Sequence, residues 1–153
     1  MIGLVQRVCH AQVSVDARVV GAIDAGLLLF VCAEVGDTER EADRLLTKVL
    51  KLRIFSDDQG RMHYSVQDVQ GGLLVVSQFT LAADVSGGNR PSFSHAAPPT
   101  QAKQLYDYFL RQARIRHGVV EAGEFAAHMQ VALLNDGPVT IPLHIPPASP
   151  CIF

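Results

Sequence analysis

The sequence lacks the residue patterns that mark several common protein classes. Its three cysteines, Cys9, Cys32 and Cys151, are odd in number and far apart, which excludes a disulfide framework and a cysteine-based metal site. No apolar run reaches the length of a membrane span, and the first residues lack the basic start and the cleavage site of a signal peptide. The sequence therefore predicts a cytoplasmic protein with reduced thiols and no membrane partner.

Familiar catalytic motifs are missing as well. The chain has no G-x-S-x-G nucleophile elbow, no phosphate-binding loop and no dinucleotide fingerprint. Its six histidines fall into no nucleophile or metal pattern, so neither a metal nor another cofactor is expected. If the chain is an enzyme, it must work by positioning its substrate and by backbone electrostatics.

The overall charge does not favour a general nucleic-acid binding protein. Thirteen basic and 15 acidic side chains give a net charge of −2, so the chain as a whole is not attracted to polyanions. Nucleic-acid binding would need a local patch, for which the candidates are Lys48, Lys51, Arg53 and Arg90. The alternative is that these charges form only a solvated helix face and a loop.

The chain does contain the strands and helices of one layered domain. Its 153 residues, 48% of them hydrophobic, suit a single domain with a substantial core. Strands are predicted at 2–8, 11–23 (a hairpin), 26–34, 62–66, 73–81, 128–135 and 138–145. Helices are predicted after a capping box of Thr38 and Glu41 and over about 100–117. Seven or eight strands with two main helices indicate an α/β or α+β layered domain over 1–145, followed by a Pro-rich tail, 146–153.

Polar side chains interrupt the apolar stretch "LLVVSQFTLAAD", residues 73–84. In a regular strand Gln78 and Thr80 would share one face, and Ser77 and Phe79 the other. One interpretation is an edge strand whose polar residues face water. The alternative is a strand end that opens into a pocket, where side chains and backbone amides meet a ligand and an aromatic ring stacks on a base.

A second unusual stretch is "LLNDGPVTIP", residues 133–142, in which a turn and a single threonine lie between apolar runs. Asp-Gly is typical of a hairpin, so an ordinary tight turn is one prediction. The alternative is a cis bond between Gly137 and Pro138, which would direct two carbonyls the same way beside a residue without a side chain. The loop 84–99 is also long for a compact domain, which favours a functional role.

These two stretches resemble the signature motifs of the D-aminoacyl-tRNA deacylases, "SQFTL" at 77–81 and "NDGPVT" at 135–140. The likeness covers about residues 1–145. Further matching stretches are "QRV" at 6–8, "RIFSDDQGRM" at 53–62, "GNRPSFSHAAPP" at 88–99, "LYDYF" at 105–109 and "GEFAAHMQVALLNDGPVT" at 123–140. Phe79, where the animal-type relatives carry alanine, favours the bacterial D-Tyr-tRNA deacylase branch.

The resemblance implies a β/β/α layered fold and a homodimer. It implies hydrolysis of the ester that joins a D-amino acid to the terminal adenosine of a tRNA, a proofreading step in translation. Glycine on a mismatched tRNA would be a further substrate class. The expected partners are thus the tRNA acceptor end and a second copy of the chain, and no DNA is expected.

The resemblance also implies roles for eight residues. Four would form the catalytic pocket: Ser77, Gln78, Phe79 and Thr80. Gly137 and Pro138 of one protomer would enter the pocket of the other, hold the substrate's amino group and leave no room for an L side chain. Arg7 would brace that motif, and Met129 would form a pocket wall.

Two aspects of the function stay open in the sequence. In one route Thr80 acts as the nucleophile, which normally needs a base. In the second route the adenosine 2′-hydroxyl assists the reaction, and backbone amides near Phe79 and Thr80 stabilise the oxyanion. No base lies nearby in sequence, which favours the second route. The alternative functions are a non-catalytic nucleic-acid binding module and a cysteine hydrolase. The chain has no basic tail for the former, and Cys32 lies in the buried-looking run "LLLFVCAEV", which disfavours the latter.

Overall fold

The computed structural model describes residues 1–148. Residues 149–153, which include Cys151 and much of the predicted tail, lie outside the described residues. The strands are β1 (Ile2–Val15), β2 (Arg18–Ile23), β3 (Gly26–Cys32), β4 (Phe55–Ser56), β5 (Met62–Tyr64), β6 (Gly72–Ser77), β7 (Val120–Ala122) and β8 (Gln130–His144). The helices are α1 (Glu39–Lys51), a 3-10 turn (Phe79–Ala82) and α2 (Pro99–Arg116). The predicted α/β class is confirmed, and no helix within residues 1–148 could cross a membrane.

The strands form one large sheet and a small hairpin. The sheet has the order β2-β1-β3-β6-β7, β8 pairs with the remaining edge of β1, and β4 pairs only with β5. β3 and β6 are parallel, and they meet closely where Gly26 lies opposite Gly72. A Cβ on Gly26 would lie 2.0 Å from the Gly72 carbonyl oxygen, so only glycine permits this approach.

Two hydrophobic cores separate three layers. Leu27, Leu29 and Leu73 point from the sheet toward the helices, and Leu28 and Leu74 point to the opposite side. The second core is closed by the far half of β1 and the first half of β8, which contribute Val13, Val131 and Leu133 among others. Because β3 and β6 are buried on both faces, their sequences are continuously apolar. The layers are therefore β/β/α, as predicted.

The helices pack side by side and run parallel. The predicted capping box begins α1, since Thr38 N donates to Glu41 Oε2 (2.9 Å) and Arg40 N to Thr38 Oγ1 (3.3 Å). α2 begins at Pro99, one residue earlier than predicted, and proline suits this first position. Three side-chain hydrogen bonds join the helices in the same chain order: Gln101 Nε2 to the Asp37 carbonyl (3.0 Å), Tyr108 Oη to Asp43 Oδ2 (2.9 Å) and Arg116 Nη2 to Thr47 Oγ1 (2.7 Å).

The predicted strand over 73–81 is too long. β6 ends at Ser77, and the chain then turns into the 3-10 segment Phe79–Ala82. Gln78 N still donates to the Val31 carbonyl (2.8 Å), but the next bonds are local, with Leu81 N donating to the Gln78 carbonyl (3.2 Å). The strand alternation predicted for residues 77–81 is therefore wrong.

The predicted hairpin at Asn-Asp-Gly-Pro is also wrong. β8 runs in one direction along β1 on both sides of this segment, with Asn135 opposite Val8 and Thr140 opposite Gln6. Four residues, 136–139, therefore lie opposite Arg7 alone, and the excess chain bulges out of the ladder. β1 is likewise continuous where a break near residue 10 was predicted, although the turn at Asp16 and Ala17 is confirmed.

Candidate functional site

A cavity of about 620 Å³ lies where the parallel strands β3 and β6 end. The carboxyl ends of parallel strands are the usual place for a ligand site in α/β proteins. Most lining residues are apolar, and they come from six segments of the chain: Val31, Cys32, Val76, Ser77, Gln78, Phe79, Phe93, Ala97, Pro99, Ala102, Tyr106, Phe125 and Met129 among them. A largely apolar cavity with a few polar groups is typical of a small-molecule or nucleoside site.

The "SQFTL" residues form one end of this cavity. Ser77, Gln78 and Phe79 line it, and so does Met129. Thr80 is not a lining residue in the single chain, but its hydroxyl accepts a hydrogen bond from Gln78 Nε2 and is exposed. The interpretation of a strand end that opens into a pocket thus agrees with the structure.

An aromatic pair stands at the mouth of the cavity. Phe79 is 56% exposed and meets Phe93 edge to face, with ring centroids 4.9 Å apart. An exposed large aromatic side chain beside a cavity offers a flat ring on which a nucleobase can stack. The long loop contributes Phe93, so the prediction that this loop serves the site has structural support.

Sequence reasoning missed several lining residues. Phe93, Tyr106 and Phe125 lie in the cavity wall; they fall within the matching stretches 88–99, 105–109 and 123–140 but had no predicted role. Tyr106 Oη donates to the Val75 carbonyl (3.0 Å), which fixes α2 against the end of β6. The available signals were their place in these matching stretches and the length of the loop that holds Phe93.

Cys32 is a structural thiol at the back of the cavity. It is buried, and its Sγ donates to the carbonyls of Ala33 (3.4 Å) and Phe79 (3.6 Å). Burial, together with the nearby Glu34 carboxylate, raises the pKa of the Cys32 thiol to about 11. The thiol is therefore neutral at physiological pH and a poor nucleophile, which counts against a cysteine hydrolase.

The Gly137–Pro138 bond is cis, as the alternative for "NDGPVT" predicted. Arg7 braces the bulge that contains it, since Arg7 Nε donates to the Asp136 carbonyl (3.0 Å) and Nη1 to the Ile54 carbonyl (2.5 Å). The Asp136 carboxylate also approaches Arg7 Nε at 3.4 Å. A half-buried guanidinium that binds two main-chain carbonyls fixes both partners, because its planar fork has little freedom.

The single threonine that follows the turn closes a second network. Asn135 Oδ1 accepts from Val139 N (2.8 Å), which bridges the bulge. Thr140 Oγ1 donates to Gln6 Oε1 (2.7 Å), and Asn135 Nδ2 donates to the same Gln6 oxygen and to Thr140 Oγ1 (3.1 Å). Gln6 and Asn135 lie within the matching stretches of sequence but had no predicted role. Together with Arg7 they hold the bulge from both sides.

Within one chain, the two predicted halves of the site lie apart. Gly137 and Pro138 are exposed and do not line the cavity. Arg7 lies opposite Leu27, whereas the cavity end of the same strand pair is marked by Ile2 opposite Cys32. Five strand residues separate these pairs, which corresponds to roughly 17 Å. A single chain therefore does not place its own bulge in its own cavity.

Known proteins resemble this chain over nearly its whole length. A family model described as D-Tyr-tRNA(Tyr) deacylase matches residues 4–144. The chain is 65% identical over 149 residues to a D-aminoacyl-tRNA deacylase of Aromatoleum aromaticum, covering 97% of this chain and 98% of that protein. A D-aminoacyl-tRNA deacylase of Paracidovorax citrulli is 63% identical over 147 residues, 96% of this chain and 95% of that protein.

Solved structures agree with these relatives. A structure named c-Myc DNA Unwinding Element Binding Protein superposes with a TM-score of 0.91 at 41% identity, covering 95% of this chain and 99% of that one. A probable eukaryotic D-amino acid tRNA deacylase shares the fold at a TM-score of 0.82 and 16% identity, with coverage of 94% and 98%. The chain belongs to the D-Tyr-tRNA(Tyr) deacylase family of hydrolases, as its two motifs predicted.

Proposed function

We propose that this chain hydrolyses the ester bond of D-aminoacyl-tRNA, and that it works as a homodimer whose cavities are each completed by the Gly137–Pro138 bulge of the other protomer. Family membership supports the reaction. One observation carries the assembly: the bulge is exposed and braced by two networks, yet lies apart from the cavity of its own chain. A rigid, exposed bulge is suited to enter the cavity of a second copy of the chain and complete it.

The cavity accommodates the end of an aminoacyl-tRNA in this proposal. The terminal adenine would stack beside Phe79 and Phe93, whose exposed rings lie at the mouth. The aminoacyl ester would then reach Ser77, Gln78 and Thr80 at the end of β6. No lining residue needs to read the amino-acid side chain, so the site would accept many amino acids.

Handedness would be screened by lack of space. D- and L-amino acids carry the same groups, so attraction to those groups separates them poorly, whereas a rigid obstacle excludes one of them. The carbonyls of Gly137 and Pro138 would accept hydrogen bonds from the substrate's amino group, and the main chain would block an L side chain. Glycine has no side chain to block, so glycyl-tRNA is a second proposed substrate.

The surroundings of Thr80 favour assistance by the substrate's own 2′-hydroxyl. Within residues 1–148 the Thr80 side chain bonds only to Gln78 Nε2, which is no base. The amides of Phe79 and Thr80 start a 3-10 turn, so they lack acceptors within it and suit a developing oxyanion.

A tRNA ending in 2′-deoxyadenosine should resist hydrolysis. Normal hydrolysis of it, together with an inactive Thr80→Val protein, would establish Thr80 as the nucleophile instead.

The proposed reaction is tested by following ester loss from D-Tyr-tRNA, L-Tyr-tRNA and Gly-tRNA. We expect D-Tyr-tRNA and Gly-tRNA to be hydrolysed, and L-Tyr-tRNA to react at least about 100-fold more slowly, a difference in barrier of about 2.7 kcal/mol. Spontaneous hydrolysis without protein gives the baseline for each ester. Equal rates for the two tyrosyl esters, or no rate above that baseline, would refute the proposed function.

A further inference from the structure

The two helices carry most of the chain's positive charge. α1 and α2 hold eight of the 13 basic residues but only four of the 15 acidic ones. Their net charge is thus +4, while the rest of the chain carries −6. Three of the four helix acids are already engaged: Glu41 is buried in the capping box, Asp43 accepts from Tyr108, and Asp107 pairs with Lys103.

Four of these cations form a row on α1, which we call the cationic stripe: Arg40, Arg44, Lys48 and Lys51. All four are exposed, and the spacing i, i+4, i+8 and i+11 puts them on one face over about 16 Å. None of them forms an ion pair within residues 1–148. Lys48 and Lys51 lie in the last turn, where positive charge suits the helix dipole, but Arg40 and Arg44 do not. Like charges at this spacing also repel one another, so helix stability does not account for the whole stripe.

The stripe begins beside the cavity and leads away from it. Ala102 of α2 lines the cavity, and its neighbour Gln101 donates to the Asp37 carbonyl just before α1 (3.0 Å). The first turns of the parallel helices are thus side by side, about one helix diameter, 10 Å, apart. From there the stripe runs from Arg40 to Lys51 along the outer surface of the helical layer.

We propose that the cationic stripe binds backbone phosphates of the tRNA duplex whose 3′ end enters the cavity. Double-stranded RNA is recognised mainly through its shape and its phosphates, which suits a straight row of unpaired cations with no aromatic side chain among them. Of the basic patch predicted from the sequence, Lys48 and Lys51 belong to the stripe. Arg53 instead donates to the His63 carbonyl (2.7 Å). The proposal rests on the proposed function, because the cavity must hold the tRNA end.

The test compares Arg44→Gln/Lys48→Gln with a matched control, Arg18→Gln/Arg61→Gln, which removes two exposed charges elsewhere. For the stripe variant we expect the KM for D-Tyr-tRNA to rise about tenfold with kcat unchanged, and the slope of log(kcat/KM) against log[salt] to shrink by about 2. D-tyrosyl adenosine, which has no duplex, should be hydrolysed equally by both variants and the unmodified protein.

The outcomes distinguish a failure of the cationic stripe from a failure of the proposed function. Unchanged KM and salt slope for D-Tyr-tRNA in the stripe variant would overturn the stripe, while the proposed function would stand. An equal loss on D-tyrosyl adenosine would also overturn it, because the effect would then be structural. If the unmodified protein hydrolyses neither D-Tyr-tRNA nor D-tyrosyl adenosine, both the proposed function and the role of the stripe are refuted. Binding of a duplex DNA by the unmodified protein and the stripe variant is measured as well. If only the stripe variant fails to bind it, and its kinetics on D-Tyr-tRNA are unaltered, the stripe is a DNA-binding site instead.

Discussion

Gly137→Ala is expected to lower kcat/KM for D-Tyr-tRNA by about 100-fold in a protein that remains folded, because a misplacement of about 1 Å at a positioning group has that effect. Gly137 has a φ of +132°, a conformation that alanine adopts with strain. The new Cβ would also lie 2.9 Å from Val139 Cγ2 and 3.0 Å from Arg7 Nη2. The bulge must therefore shift, and its carbonyls would leave the position from which we propose that they bind the substrate's amino group.

Gly60→Ala is the control for this substitution, because Gly60 lies in the turn between β4 and β5 and does not line the cavity. Gly60 also has a positive φ, +75°, but open space where its Cβ would lie, so alanine there imposes strain without a collision. We expect it to retain the kinetics of the unmodified protein. Steady-state hydrolysis of D-Tyr-tRNA and a thermal melt of each variant are the measurements. Full activity of a folded Gly137→Ala protein would remove the bulge from the mechanism.

Arg7→Lys is expected to reduce kcat/KM for D-Tyr-tRNA by roughly 10- to 100-fold, the equivalent of about one charged hydrogen bond. Lysine keeps the charge but cannot donate to the carbonyls of Asp136 and Ile54 at once, since it lacks the planar fork. The bulge would lose its tie to the segment after α1. Discrimination should fall as well, because a mobile bulge excludes an L side chain less strictly.

The control for Arg7→Lys is Arg61→Lys, an exposed arginine that pairs with Asp57 at 3.1 Å. We expect no kinetic change there, because exposed ion pairs contribute little. The ratio of rates on D-Tyr-tRNA and L-Tyr-tRNA separates the two possible roles of Arg7. If D-Tyr-tRNA hydrolysis and the D/L ratio both stay unchanged, Arg7 does not position the bulge.

The sequence predicted those elements whose signal is local. The capping box of Thr38 and Glu41 fixed the start of α1, and the run from Leu27 to Leu29 showed a strand buried on both faces. The sequence shows the single threonine, Thr140, but not its role. Its partner, Gln6, lies 134 positions away, and only pairing of β8 with β1 brings the two together.

The errors came from local rules that tertiary pairing overrode. Asp-Gly is typical of a hairpin, yet β1 offers a continuous edge on both sides of the bulge, so β8 continues and the extra residues protrude. Phe79 and Leu81 look like strand residues, but β6 ends at Ser77 and local hydrogen bonds take over. The aromatic wall from Phe93 and Phe125 has no local signal, because it forms only when distant segments meet.

The central claim, that each cavity is completed by the bulge of the other protomer, is tested most directly by mixing two variants that are each expected to be nearly inactive. One carries Gln78→Ala in the cavity and the other carries Gly137→Ala in the bulge. After subunit exchange at equal amounts, half of the dimers contain one copy of each variant. Each mixed dimer has two sites, one of which combines a native cavity with a native bulge. Activity on D-Tyr-tRNA should therefore return to about a quarter of the unmodified level. If each cavity uses the bulge of its own chain, the mixture will stay as inactive as its two components.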